Sequence, residues 1–283
     1  MRFDLSTLGT WSEEHEFVVE AERARAYAAA TNDDNPRYAS GRATPPVFAY
    51  VPSITAVAAA MNLLVPKEDR RWGLHGEQDI FFHRPILSGM VLRSRAAPVG
   101  VHRKPSGTLV VIKSQTRDET GELMNEQYGT AFFPGVKDAP TAGDAAPDHR
   151  LSQEARRAEA LARVVASIAA DQTYRYAEAS GDRSPIHLDA DFARSVGLPG
   201  IILHGMCTMA MTGWAVIESA CGGDPTRLRR LAVRFSHPVL PGQEITTHIW
   251  TAGARDGRAV YAFEALNPTK KAVIRDGFAE VAG

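Results

Sequence analysis

Cysteine is scarce. The chain has two in 283 residues, Cys207 and Cys221. On one helix, 14 positions apart, they would sit roughly 21 Å from each other, beyond disulfide reach, so they read as reduced core thiols. An excess of charge is also lacking. Lys and Arg total 32 against 33 Asp and Glu, a formal net charge of −1, which excludes the basic surplus of a nucleic-acid binder. No run approaches the ~20 apolar residues that span a bilayer, so no membrane partner is expected. The opening MRFDLSTLGTWSEEHEF carries acids and lacks the apolar core of a signal peptide. The histidines show no ligand spacing with cysteines or acids, so no metal is expected. No glycine-rich phosphate loop or nucleotide fingerprint is present either. What remains, 44% hydrophobic and 23% charged, is globular and long enough for one large domain or two ordinary ones. A cytoplasmic protein fits all of this.

An internal repeat decides for two. Tyr27 to Pro36 (YAAATNDDNP) and Tyr176 to Pro185 (YAEASGDRSP) share Tyr, Ala, Ala, a hydroxyl residue, Asp and Pro in register, 149 positions apart. Phe82 to Gly89 (FHRPILSG) parallels Phe235 to Gly242 (FSHPVLPG) at 153. Two matches in the same order at nearly one offset identify duplicated units. Each half then reads as a strand, a helix and loop, an apolar helix and four strands. In the first half these are Glu16–Val19, Glu20–Ala30, Pro52–Leu64, and strands over 76–82, 91–98, 109–116 and 123–133. In the second, the apolar helix is Gly205–Ala220 and the strands lie over 231–236, 244–252, 259–267 and 272–281. Both apolar helices are expected to be buried nearly all round. The class is α+β, an antiparallel sheet burying one face on a helix in each half. Lys137 to Arg150, rich in Pro, Ala and Asp without period, reads as a linker. The expected division is 1–136, 137–150 and 151–283.

The chemistry concentrates between Tyr176 and Gly213. Asp182 and His187 lie five apart on a segment of turn formers, Ser180, Gly181, Ser184 and Pro185. An acid and an imidazole on one tight loop can move protons to and from a water molecule. Farther on, Leu203-His204-Gly205-Met206 opens the apolar run. The first N–H groups of such a helix lack intrahelical partners and can hold a developing oxyanion. In the first half the position of His187 is Tyr38, although Asp33 and Asn35 persist, so that half is expected to be non-catalytic. Asp189 reads as a helix cap, Tyr176 as packing beneath the loop, and His204 as a packing or hydrogen-bonding residue. Ser184 either bonds the catalytic pair or holds the turn.

The order Tyr176, Ser180, Gly181, Asp182, Pro185, Ile186, His187, Asp189, Ala193, His204, Gly205 resembles the R-specific enoyl-CoA hydratases, the MaoC-like or hydratase 2 family. Ser184 stands where the family pattern has Asn. The resemblance implies two fused hotdog domains, each an antiparallel sheet wrapped around a long helix, with a degenerate N-terminal copy that widens an acyl pocket. It implies hydration of trans-2-enoyl-CoA to (R)-3-hydroxyacyl-CoA. Asp182 and His187 would be the acid–base pair, with the Gly205 N–H on the thioester carbonyl and Ser184 at the substrate. Coenzyme A would enter as part of the substrate, with no separate cofactor, and Arg84, Arg103 and Lys104 are candidates to bind it. The fused pair can act alone or as a homodimer. The rival readings are a carrier-protein dehydratase, a thioesterase and a non-catalytic thioester-binding subunit.

Overall fold

The computed structural model describes residues 3–40, 42–150 and 156–283. The first half opens with β1 (His15–Val18), α1 (Ala21–Ala30) and α2 (Pro36–Ala39). A 3-10 stretch, Pro46–Ser53, leads into α3 (Ile54–Leu64). Then come β2 (Leu74–Phe82), β3 (Val91–Lys104), β4 (Gly107–Asp118), β5 (Leu123–Pro134) and the short β6 (Ala142–Gly143). The second half has β7 (Ala162–Ser167), α4 (Gln172–Ser180), α5 (Ala190–Ser195) and α6 (Gly205–Ala220). It closes with β8 (Leu228–Phe235), β9 (Glu244–Arg255), β10 (Arg258–Leu266) and β11 (Ala272–Val281).

The repeat is visible in the strand order. One set runs β1-β3-β4-β5-β2 and the other β7-β9-β10-β11-β8, with antiparallel ladders in both. The two compact units do not follow the sequence halves, however. One comprises Met1–Val18, Pro52–Arg84 and Met90–Asp148. The other comprises Val19–Val51, Pro85–Gly89 and His149–Gly283. In the second unit α1 lies on α4: Tyr27 meets Tyr176 with ring centroids 5.4 Å apart, and the Arg23 side chain donates to the Ala179 and Ser180 carbonyls. Thus each repeat contributes a helix to a shared pair, and the expected boundary at 136 is not where packing divides. The stretch expected as a linker is also fastened down. Ala142–Gly143 pairs with β3, and Ala139 joins the core of the first unit beside Ala60, Leu64 and Phe133.

The two apolar helices differ. In α6 eleven residues are buried, as expected of a helix hydrophobic all round. In α3 the buried residues are Ala56, Ala60 and Leu64, one i, i+4, i+8 stripe against β3 and β4. The expectation of all-round burial therefore fails for α3. Pro52, expected near the first helical position, instead sits inside the 3-10 stretch. By length and composition alone, Pro46–Leu64 is apolar enough to cross a bilayer, correcting the expectation that no run is. Half of it is buried inside the protein, which is how a core helix meets the same test. Cys207 and Cys221 are both buried and free, as expected.

Candidate active site

α4 ends at Gly181, whose φ of 84° is left-handed and suits a residue without Cβ. That turn sends the chain into the Asp182 loop. The Asp182 N–H donates to Ser180 Oγ (3.1 Å), and Asp182 Oδ1 accepts from the Ser184 N–H (3.1 Å) and hydroxyl (2.6 Å). Both loop donors fall on one carboxylate oxygen. Pro185–His187 then forms a short 3-10 turn that carries His187 inward, where it is buried. Asp189 caps α5 by accepting from Asp191 and Phe192 N–H groups, as expected.

The His187 ring is oriented by a group the sequence did not reveal. Its Nδ1 lies 2.8 Å from the Ile202 carbonyl. A carbonyl can only accept, so Nδ1 carries the proton and Nε2 presents a lone pair. Burial holds the imidazole below its ordinary pKa, against the opposing pull of the Ile202 bond and the Asp182 charge. For Asp182, burial disfavours ionisation, but the Ser184 hydroxyl bond and the neighbouring His204 and His187 hold the carboxyl below its ordinary value. Near neutral pH the pair is therefore an ionised carboxylate beside a neutral imidazole, and both are acceptors.

His204 is the member that sequence reasoning set aside. Its ring stacks on His187 with centroids 3.8 Å apart and planes 27° from parallel, and Tyr176 packs on it at 4.8 Å. Its Nε2 is 3.0 Å from the Asp182 carbonyl, and its Nδ1 is 3.3 Å from Thr173 Oγ1. Burial first, and the His187 neighbour second, push it down to about 4. Donor atoms of Asp182, His187 and His204 all lie within 4.8 Å of one another. That is close enough for three donors to hold a metal ion, a grouping that spacing in the sequence did not suggest, since 22 positions separate Asp182 from His204.

Gly205 is the first residue of α6, and no side chain caps that helix start. A Cβ at Gly205 would lie 3.2 Å from the Phe235 ring, so a side chain there would press on that ring. The helix thus begins immediately after His204 with N–H groups unclaimed by a cap. Ser184, expected at the substrate, is directed onto Asp182. Arg84, Arg103 and Lys104 lie outside the compact unit that holds Asp182 and His187. All three belong to the first compact unit; Arg84 is paired with Glu122 at 2.8 Å, and the Arg103 N–H donates to Thr141. Tyr50, from the first half, is a further neighbour. Burial raises its phenol and the Asp182 charge raises it again.

The first-half loop keeps the turn without the pair. Asp33 Oδ1 accepts the Asn35 N–H at 3.2 Å, as Asp182 accepts Ser184. Tyr38 fills the His187 position, fully buried, with a hydroxyl lacking a partner among the described residues. Asp33 borders a cavity of about 410 Å³ that Ala28, Ala29, Asn32 and Tyr38 also line.

Comparison with known proteins follows the same two-part pattern. The family described as "MaoC like domain" matches residues 151–273, and "MFE-2 hydratase 2 N-terminal domain" matches residues 39–135. The chain is similar to 3-hydroxyacyl-thioester dehydratase Y of Mycobacterium tuberculosis, 32% identical over 228 residues, covering 74% of this chain and 73% of that protein. It is similar to the peroxisomal enoyl-CoA hydratase 2 of Arabidopsis thaliana, 29% identical over 217 residues, 74% of this chain and 70% of the other. A crystal structure of a MaoC-like dehydratase from Phytophthora capsici superposes with a TM-score of 0.84 at 23% identity, covering 98% and 97% of the two chains. Such structural likenesses show the fold, a double hotdog.

Proposed function

The chain belongs to the family of MaoC-like dehydratases and type 2 enoyl-CoA hydratases, and on that premise we propose that it adds water to trans-2-enoyl-CoA thioesters to give (R)-3-hydroxyacyl-CoA. The observation that carries this reading is the orientation of His187. Its Nδ1 proton is committed to the Ile202 carbonyl, so Nε2 is left with a lone pair as a base near the Asp182 carboxylate. Two acceptors side by side can hold the two hydrogens of one water. Either member of the pair can take the proton, because the two titrate together. In the reaction the water oxygen bonds to C3. One water proton passes to the Asp182–His187 pair, and the pair delivers a proton to C2 from the same side, a syn addition. Electron density that moves onto the thioester oxygen during attack is met by the Gly205 N–H at the positive end of α6. Preorganised donors of this kind contribute about 10² to 10³ in rate.

The Asp182–His187 pair titrates as a unit, so pH profiles report the pair. Tyr50 of the first half lies near enough to feel the Asp182 charge, and a bulky or medium-to-long acyl chain is proposed for a pocket that the first copy widens. Coenzyme A enters only as part of the substrate, with Arg103 and Lys104 kept as candidates for its phosphates. The division into a degenerate copy over 1–136 and a catalytic copy over 151–283 is proposed as a statement about the repeat. Cytoplasmic placement rests on composition alone, and the Arabidopsis relative is named peroxisomal. The reverse reaction, dehydration of a 3-hydroxyacyl thioester, is favoured by the name of the Mycobacterium relative. The test is loss of enoyl-thioester ultraviolet absorbance with trans-2-enoyl-CoAs of rising length, followed by product chirality. Activity giving the (R)-alcohol supports the reading. An (S) product, or strong preference for a four-carbon chain, counts against its stereochemical or chain-length part.

A further inference from the structure

Two hydrogens serve three acceptors around His204. The acceptors are the His187 carbonyl, 2.8 Å from Thr173 Oγ1, the Asp182 carbonyl, 3.0 Å from His204 Nε2, and, in the neutral ring, His204 Nδ1, 3.3 Å from Thr173 Oγ1. The other tautomer would set a bare Nε2 against a carbonyl oxygen, so the ring proton sits on Nε2. The Thr173 hydroxyl then gives its single hydrogen to the nearer His187 carbonyl. The main chains of Asp182 and His187 are thus tied to α4 and to the start of α6 through one threonine and one histidine. The stacked ring adds a third restraint, on the His187 side chain itself.

We propose that His204, seconded by Thr173, is the positioning residue that sets the separation between Asp182 and His187. The inference rests on the reading of those two as the acid–base pair. The repeat provides an independent comparison. The offset that aligns Tyr27 with Tyr176 sets Ala24 against Thr173. Alanine cannot make a side-chain hydrogen bond, and this is the copy in which the imidazole is also gone. A misplacement of about 1 Å between reacting groups costs about 10² in rate, so the brace acts on turnover and leaves substrate binding nearly untouched.

The experiment uses the full chain and exploits amide geometry. His204→Gln can place an N–H near the former Nε2 and keep the tie to Asp182, whereas His204→Asn places its amide on the Thr173 side. Expected results are a kcat loss of about 10²-fold for His204→Asn with KM within about threefold, and recovery to within about tenfold of wild type for His204→Gln. Thr173→Ser should act like wild type, and Thr173→Val should lose about tenfold. Nitrogen NMR of His187 provides a readout that needs no substrate. In wild type the ring holds a single Nδ1–H tautomer on the Ile202 carbonyl; His204→Asn, by removing the stacked ring and the tie to Asp182, frees His187 from that carbonyl and lets the tautomers mix, while His204→Gln does not. Equal kcat for the Gln and Asn variants, or an unchanged His187 tautomer in both, overturns the proposal. If wild type hydrates no enoyl-CoA, the functional reading falls, and the NMR comparison alone decides the positioning role. Thermal melting of each variant separates misfolding from mispositioning, with Thr173→Ser and His204→Gln as the variants most certain to fold.

Discussion

The two copies of one loop set their aspartates in opposite directions. Asp33 and Asp182 each accept a backbone N–H from the residue two positions on, at 3.2 and 3.1 Å. Asp33 is buried, near Asp34 and Glu218, and is pushed up to about 7. Asp182 is also partly buried, yet the Ser184 hydroxyl and two neighbouring imidazoles bring it below its ordinary value. The turn is inherited, and the charge state is set by what surrounds it. Conserving the backbone motif therefore keeps the acid in place without keeping it ionised.

The largest way to break the comparison is to remove what distinguishes the active copy. His187→Ala should lower kcat by about 10³-fold, within the range of general acid–base catalysis, as measured by the enoyl absorbance assay. Next comes stability against pH. Asp33 binds its proton more tightly folded than unfolded, so its contribution is present at low pH and is lost as pH rises from about 3.8 through about 7. The full effect is roughly 4 kcal/mol at about 1.4 kcal/mol per unit. Denaturant titrations should show that slope flattened in Asp33→Asn. Asp182 has the opposite sign. Its contribution is present above its unfolded value and is lost as pH falls through its lower folded value. If both substitutions flatten the same limb, the contrast between the loops is wrong. A smaller effect is expected at Ser184. Without the 2.6 Å hydroxyl bond, Asp182 in Ser184→Ala should rise toward its ordinary value, moving the acid limb of the kcat/KM profile upward and costing about tenfold, the worth of a hydrogen bond to a charged group. The smallest belongs to Tyr38→Phe. Its hydroxyl is buried without a partner among the described residues, so the melting temperature should stay level or rise, a change within about 1 kcal/mol.

Much of the site was legible because its signals are local. Asp182, Ser184, Pro185 and His187 lie within six residues, and turn chemistry confines them to one loop whatever the fold around them. The Asp189 cap was legible for the same reason. His204 does pack and hydrogen-bond, as expected, but its partners, Thr173 and the Asp182 carbonyl, lie 31 and 22 positions away and could not be named. A histidine before a helix carries no mark of what it will touch. The Ile202 carbonyl carries no side-chain signal at all. Arg84 was offered as a ligand for coenzyme A on charge alone, and Glu122 takes it.

The same division runs through the fold. Alternation and the duplicated segments determined the strands, the two apolar helices and the presence of two copies, since these follow from periodicity within short windows. Tertiary structure decided that α1 of the first copy packs on α4 of the second, so that the compact units exchange Val19–Val51. It also decided that α3 buries a single stripe while α6 is enclosed. Both helices are equally apolar to inspection, and burial depends on how many neighbours surround each, a quantity fixed by residues distant in the chain. The sequence by itself thus determined which groups could do chemistry. Only the packing around them decided which imidazole bonds the Ile202 carbonyl, which one stacks on it, and which aspartate is held below its ordinary value, because desolvation and hydrogen bonding are properties of a filled volume and not of a linear order.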